Sequence, residues 1–415
     1  MRDVTVTFSL DEPFKAAVWR CEMLYDFDKQ INRRNTNSLK WEVGENELPM
    51  WVADMDFETA PEICAAIRKR AAHGVFGYST VPEEWHQAYI GWWKRRHDFQ
   101  MEKDWLIFCT GVVPAISSMV RKLTTPAEKV LVLTPVYNIF FNSILNNGRQ
   151  VLESRMEYDG KTYQINFGDL EQKLSDPQTS MMILCNPHNP IGKIWDRETL
   201  GRIGELCWKY HVVVISDEIH CDLTDPGCAY VPFASVSKHC RDNSVTCVAP
   251  TKAFNLAGLQ TAAVAVPDPV LRHKVRRGLN TDEAAEPNAF AIDAAIAAFT
   301  EGEAWLDALR GYILENKKAA AEYIRGQIPQ IEVVPSKATY FLWLHCSRMV
   351  GFAAEAAEYM REKTGLYLSA GNRFGAGGGD FLRMNIACPR AVLEDGLCRL
   401  KEGIAAYEEF AVNRC

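Results

Sequence analysis

Between Trp105 and Val266 the chain repeats one pattern. A short apolar run is followed by a polar or glycine-bearing turn and then by a stretch with helical spacing. The runs are WLIFC (105–109), VLVL (130–133), MMILC (181–185), VVVIS (212–216), VTCVA (245–249) and AAVAV (262–266). Four or five residues are too few for a helix, and apolar residues at successive positions mean that both faces of each strand are covered. Buried strands alternating with helical spacers predict an α/β fold, a mostly parallel sheet between two helix layers. In such open sheets ligands bind beyond the carboxyl ends of the strands. Here those ends lead into Thr110 and Gly111, Tyr137, Asn186 and Asn189, Asp217 and His220, and Thr251 and Lys252. Five endings from separate parts of the chain are expected to converge on one crevice.

The pattern changes near residue 300. WLDALRGYILENKKAAAEYIRGQI (305–328) has the spacing of a long amphipathic helix. EVVPSKATYFLWLHC (332–346), LYLSAG (366–371) and FLRMNIACP (381–389) read as strands of a smaller layered unit. The expected division is an N-terminal segment, 1–60, packed with a C-terminal small domain, 301–415, and a large domain, 61–300, between them. A chain of 415 residues is long enough for this.

Composition excludes several classes. A net charge of −7, with both signs interspersed and no long basic run, argues against a nucleic-acid partner. No apolar stretch reaches the about 18 residues of a membrane helix. The opening MRDVTVTFSLDEPFKAAVWRCEML lacks the charged and apolar regions of a secretory leader. Thirteen cysteines without a C-x-x-C pair are expected to be free thiols in a reducing compartment, the cytoplasm. DEIH (217–220) has no second His or Cys at ligand spacing, so no metal is expected.

Lys252 is the single charge in VTCVAPTKAFNLAG (245–258). A surface lysine snorkels into water. One at a buried strand end is held in a site that lowers its pKa and lets it form a Schiff base. An aldehyde cofactor such as pyridoxal phosphate needs such a lysine, and an Asp for its pyridinium nitrogen. Asp217 is the candidate, with a helix N-cap as the alternative role. Gly111, Val112 and Val113 open a helix whose free N–H groups suit a phosphate, although any βα turn offers these. In NPHNPIG (186–192) two Asn-Pro pairs shape an irregular loop, from which an asparagine can bond a ring hydroxyl. Tyr137 can stack on an aromatic ring or belong to the core. Arg383 is a lone cation in an apolar strand and needs an anion, a substrate carboxylate or an internal partner. GAGGGD (375–380) reads as a flexible loop.

These residues together resemble the fold-type-I pyridoxal-phosphate enzymes of the class I/II aminotransferase superfamily. Within it the chain is most similar to the MalY/PatB branch of cysteine-S-conjugate (cystathionine) β-lyases. The likeness runs from about Tyr25 to Leu400 and rests on YDFDKQINRRNTNSLKW, LPMWVADMDF, VFGYST, TGVVPAI, TPVYNIFF, NPHNPIGK, SDEIHCDL, PTKAFNLAGLQ and LRMNIACP, in that order. The first 20 or so residues lie outside it. The resemblance implies a large domain with a mostly parallel seven-stranded sheet and a smaller α+β domain. It implies that Lys252 carries the cofactor, with Asp217 on the ring nitrogen, Asn189 and His220 near the ring hydroxyl, and Tyr137 stacked on the ring. It places Gly111, Val112, Val113 and Thr251 around the cofactor, and Arg383 and Asp54 on the substrate. Tyr78 corresponds to a tyrosine given to the phosphate by the neighbouring subunit, which implies a homodimer.

Two departures stand out. Relatives that transaminate usually carry an Arg eight residues after the lysine; here that position is Gln260. Thr251 replaces the commoner Ser before the lysine and keeps the hydroxyl. The loss of the arginine, with the branch-specific NSLKW and ADMDF, favours α,β-elimination of cystathionine or a cysteine S-conjugate to a thiol, pyruvate and ammonia. The alternatives are an aminotransferase, and a regulatory or interaction protein on the same fold.

Overall fold

A computed structural model describes residues 25–414. The opening stretch read above for a leader lies outside them. Seven strands form the main sheet: β1 (Leu106–Cys109), β2 (Lys129–Thr134), β3 (Gln150–Arg155), β4 (Thr179–Cys185), β5 (Val213–Asp217), β6 (Ser244–Val248) and β7 (Ala262–Ala265). Their order is β1-β7-β6-β5-β4-β2-β3. β7 runs antiparallel to both neighbours and the other pairs are parallel.

Six strands fall on the six apolar runs. The seventh, β3, has the sequence QVLESR and is exposed to half-buried except at Ser154. It lies at the sheet edge, where polar side chains reach water, so it carries no continuous apolar run. The continuous runs have the expected cause. In β4, Met181, Ile183 and Cys185 enter one core layer, while Met182 and Leu184 enter the layer on the other face.

The main helices are α1 (Pro61–Ala72), α2 (Glu83–His97), α3 (Val112–Leu123), α4 (Pro269–Thr281), α5 (Ala291–Glu301), α6 (Glu303–Gln327), α7 (Ala353–Thr364) and α8 (Arg390–Val412). α3 and α4 cover one face of the sheet through Ile116, Met119, Val275 and Leu279. α2 and α5 bring Trp85, Tyr89, Trp92, Trp93 and Phe299 against the β1–β7 end. The second sheet is antiparallel, in the order β8 (Glu332–Val333), β9 (Phe341–His345), β11 (Phe381–Asn385), β10 (Ser369–Ala370), and α7 and α8 pack on it. α6 buries Trp305, Leu309 and Ile313 in the large cluster and Ala320 and Ile324 in the small one, so one helix ties both cores together.

Residues before α1, expected against the C-terminal unit, divide their contacts. Leu48–Pro49 pairs in parallel with Leu366–Tyr367, whereas Tyr25, Phe27, Met55 and Phe57 enter the aromatic core with α2 and α5. GAGGGD, expected to be a flexible loop, is instead a pinned turn. Ala376 N–H donates to Glu153 Oε2 at 2.6 Å and Gly378 N–H to Gly375 O at 3.2 Å. A Cβ on Gly378 would stand 2.1 Å from Gly371 O, so the glycine is there for close backbone approach. Among the described residues no helix is long and apolar enough to cross a membrane.

Candidate functional site

The strand ends converge. A cavity of about 250 Å³ lies beyond β1, β5 and β6 and is lined by Thr110, Gly111, Val112, Val113, Tyr137, Asn189, Asp217, His220, Thr251, Lys252 and Gln260. A larger, more open groove of about 660 Å³ at Arg155, Tyr158 and His345 holds none of these residues.

Asp217 is the last residue of β5 and is buried. Its Oδ1 accepts from Ile219 N–H at 3.1 Å. Burial pushes its carboxyl up to about 7; the Ile219 bond and nearby Lys252 pull the other way. Lys252 follows β6 on the four-residue helix Pro250–Ala253. Its Nζ donates to Ala53 O at 2.6 Å. Burial lowers its amine to about 8, Asp54 and Asp217 oppose that, and Arg383 adds to it.

His220 is buried, packs edge-on to Tyr340 and Phe341, and leaves its Nδ1 without a partner. Burial and the two cations Lys252 and Arg383 bring it down to about 3, so it is neutral. Burial raises the Tyr137 hydroxyl to about 12. Asn189 sits after the cis Asn186–Pro187 bond and before the cis bond to Pro190. Its Oδ1 accepts from Arg383 Nη1 at 3.1 Å, which leaves its amide N–H groups for another partner. In α3 the first amide to turn back into the helix is that of Ala115, to Gly111 O, and Pro114 has none. The N–H groups of Val112 and Val113 therefore face the cavity end without an acceptor inside the helix.

Arg383, on β11, is buried beside this cavity. Its Nη2 donates to Trp51 O at 2.8 Å, its Nε has no partner, and its plane lies over Phe341 at 4.3 Å. Burial lowers its pKa to about 10. The cation remains, with part of its donor fork unused. Asp54 does not line the cavity; it is held by Arg33 through Nη1 and Nη2. Tyr78 is fully exposed and far from any packing in this chain. Its neighbours Val75 and Phe76 are exposed too.

Several contributors escape motif reading. Asn255, three residues after Lys252, accepts from Met55 N–H and donates to Met55 O and Phe57 O, each at 3.0 Å. Asn385, two residues after Arg383, donates to Val52 O and Asp54 O. Tyr340 donates to Ala53 O. All three fasten the segment from Trp51 to Phe57 beside the cavity; the only signal for the two asparagines was their nearness to Lys252 and Arg383, and Tyr340 had none. The structure also groups His97 with Cys221 and Asp222, from 125 residues away. Asp222 already accepts from Trp92 and His97, and this group lies outside the cavity.

The donor set matches an anionic, ring-bearing aldehyde cofactor on observations of this structure: a half-buried amine with lowered pKa, a buried carboxylate short of partners, an unpartnered ring nitrogen on His220 and an unpartnered donor on Arg383, and free N–H groups at the α3 start. Comparison with known proteins agrees. The chain is 42% identical over 387 residues to "Cystathionine beta-lyase PatB" of Bacillus subtilis (strain 168), covering 92% of this chain and 100% of that one. It is 30% identical to "Protein MalY" of Escherichia coli (strain K12), covering 92% and 100%. The structure of cystalysin from Treponema denticola, described as containing a pyridoxal 5'-phosphate cofactor, superposes with a TM-score of 0.89 at 32% identity, covering 93% of this chain and 100% of that one. The PLP-bound C-S lyase of Staphylococcus hominis superposes with a TM-score of 0.86 at 31% identity, covering 92% and 99%. The model of the family "Aminotransferase class I and II" matches residues 45–400, a span that takes in Lys252, Asp217, the start of α3 and Arg383: the chain belongs to the aminotransferase class I and II family.

Proposed function

We propose that this protein is a pyridoxal-phosphate-dependent carbon–sulfur β-lyase that splits cystathionine and related cysteine S-conjugates into a thiol, pyruvate and ammonia. The observation that carries the reading is the buried Asp217 and the half-buried Lys252 at adjacent strand ends, with Arg383 beside them. Lys252 would hold the cofactor aldehyde, Asp217 its ring nitrogen, Asn189 and His220 its hydroxyl side, Tyr137 its face, and Val112, Val113 and Thr251 its phosphate. When bound, the cofactor supplies an electron-accepting ring that makes the substrate's Cα proton acidic.

The chain's own residues do the rest. Arg383 pairs its fork with the substrate carboxylate and fixes the orientation of Cα. Lys252, its pKa brought near neutrality, takes the Cα proton as general base. Asp217 keeps a proton on the ring nitrogen, because a carboxylate buried without a cation is costly and one paired with N–H⁺ is not. Loss of the thiolate from Cβ and hydrolysis of the remaining three-carbon enamine give pyruvate and ammonia.

Gln260 lines the cavity, at the position where the resemblance implies an arginine in most transaminating relatives. This supports elimination over amino transfer, while the family's own description keeps amino transfer as the second reading. Purified protein with pyridoxal phosphate and cystathionine is expected to release pyruvate, and with cysteine to release sulfide as well. Lys252→Ala is expected to abolish both. Wild-type rates in that variant would overturn the assignment, and amino transfer to a keto acid without pyruvate release from cystathionine would replace lyase by aminotransferase.

The reading includes a homodimer, in which the exposed Tyr78 reaches the neighbouring site, and a cytoplasmic location. The eleven cysteines among the described residues are all free thiols, which supports a reducing compartment.

A further inference from the structure

The stretches NSLKW and ADMDF meet in the structure, and the steps above do not use them. Arg33 donates through Nη2 to Asp54 Oδ2 at 2.8 Å and through Nη1 to Asp56 Oδ1 at 2.7 Å and Met55 O at 3.0 Å. Lys40 is 1% exposed and donates to Asp56 Oδ2 at 2.7 Å and Asp54 O at 3.3 Å. Trp41 Nε1 adds a third donor to Asp56 at 2.8 Å. Burial opposes charge on both Arg33 and Asp56, yet the partners outweigh it: Arg33 is raised and Asp56 lowered. Desolvation cancels most of what a buried ion pair gains, so a packed apolar cluster would stabilise the fold as well. What two interlocked ion pairs add is a fixed geometry for the backbone they grip.

That backbone leads directly into the site. Trp51 O accepts from Arg383, and Ala53 O accepts from Lys252. The guanidinium plane is set by two bonds, one to Asn189 and one to Trp51 O. We propose that Arg33 and Lys40 are positioning residues for the reaction: by clamping Asp54 and Asp56 they fix the Trp51–Ala53 backbone, whose carbonyls aim Arg383 at the substrate carboxylate and the Lys252 amine at the Cα proton. The inference rests on the amino-acid chemistry of the proposed function, not on its lyase branch. Arg33 has a second effect. It neutralises Asp54, whose negative charge favours the protonated form of Lys252. Without Arg33, Lys252 keeps its proton to higher pH.

The test uses cofactor-loaded Arg33→Gln and Arg33→Lys beside the wild type. L-Alanine has no leaving group, so its binding, read from the visible spectrum of the bound cofactor, depends on Arg383 and not on elimination. The pH dependence of Cα-hydrogen exchange of L-alanine in heavy water reports on Lys252. Arg33→Gln is expected to weaken L-alanine binding about tenfold, since misplacement of about 1 Å costs on the order of 100-fold, and to move the acid limb of exchange up by about half a pH unit. Arg33→Lys keeps the charge and loses the fork; it is expected to weaken binding about threefold with the limb in place. A residue that only supports the fold would lower the melting temperature without moving the limb. Binding within twofold of wild type in both variants, or an unmoved limb in Arg33→Gln, overturns the proposal. If Arg33→Gln fails to fold, unchanged binding in Arg33→Lys overturns it alone. A wild type that binds L-alanine but releases no pyruvate from cystathionine refutes the lyase reading and leaves this test standing.

Discussion

Asp217 and Lys252 are displaced in opposite directions by the same burial, and each displacement carries a sign that can be measured. In the fold Asp217 titrates near about 7, against an ordinary 3.8. Between those values the unfolded chain has lost a proton that the folded one keeps, so stability from this group falls as pH rises, and the penalty is complete above 7. Lys252 titrates near about 8, below its usual 10.5, so its penalty is complete below 8 and fades above it. Cofactor-free Asp217→Asn is therefore expected to melt higher than wild type at pH 8 and with it near pH 4, by differential scanning calorimetry. The same variant, loaded with cofactor, should release pyruvate about 100-fold more slowly, because an amide does not hold the ring-nitrogen proton as a carboxylate does. Functional residues that cost stability are common where charge is kept for chemistry.

The segment from Trp51 to Phe57 has little secondary structure, and side chains from distant elements hold it. Asn255, Asn385, Tyr340, Arg33 and Lys40 between them bond the carbonyls of Val52, Ala53, Asp54, Met55 and Phe57, and Arg383 bonds that of Trp51. Backbone without ladder partners has to find side-chain ones when it is buried. The turn at 375–380 is held in a comparable way, by β3 and by its own amides. Gly378→Ala forces a methyl group onto Gly371 O and is expected to cost about 1–3 kcal/mol in urea unfolding, the usual range for overpacking. An unchanged midpoint would mean that the turn moves aside, as a flexible loop would.

The two cores share α6, and the cavity lies against residues from both units: Lys252 and Asp217 from the large sheet, Arg383 from the small one. Tyr78 stands apart, fully exposed with Val75 and Phe76. In the proposed homodimer it completes the neighbouring site. Mixing and refolding equal amounts of Lys252→Ala and Tyr78→Ala subunits then creates hybrid dimers with one intact site each. Random pairing makes half of the dimers hybrids, so pyruvate release should recover to about a quarter of wild type, although each parent alone is far below that. No recovery would place Tyr78 in its own subunit's chemistry or outside it.

The α/β class, six of the seven sheet strands and the residues beyond their carboxyl ends were legible in the chain. Short apolar runs are set by burial on both faces, and that is a local property of each strand. Lys252, Asp217 and Arg383 stood out for a related reason: a charge inside an apolar run has to be explained by a partner. β3 was hidden because an edge strand has no need of an apolar run. The clamp was hidden for another reason. Arg33 and Lys40 look like ordinary surface cations in a polar stretch, and nothing within a few residues of Lys40 shows that it is buried. Burial, the pairing with Asp54 and Asp56, and the grip of Asn255 on a segment about 200 positions away are properties of packing. The same holds for the grouping of His97 with Cys221 and Asp222. Local pattern carries the elements and the isolated charges; which charges meet, and at what distance from Lys252, follows from how the two cores pack around one segment.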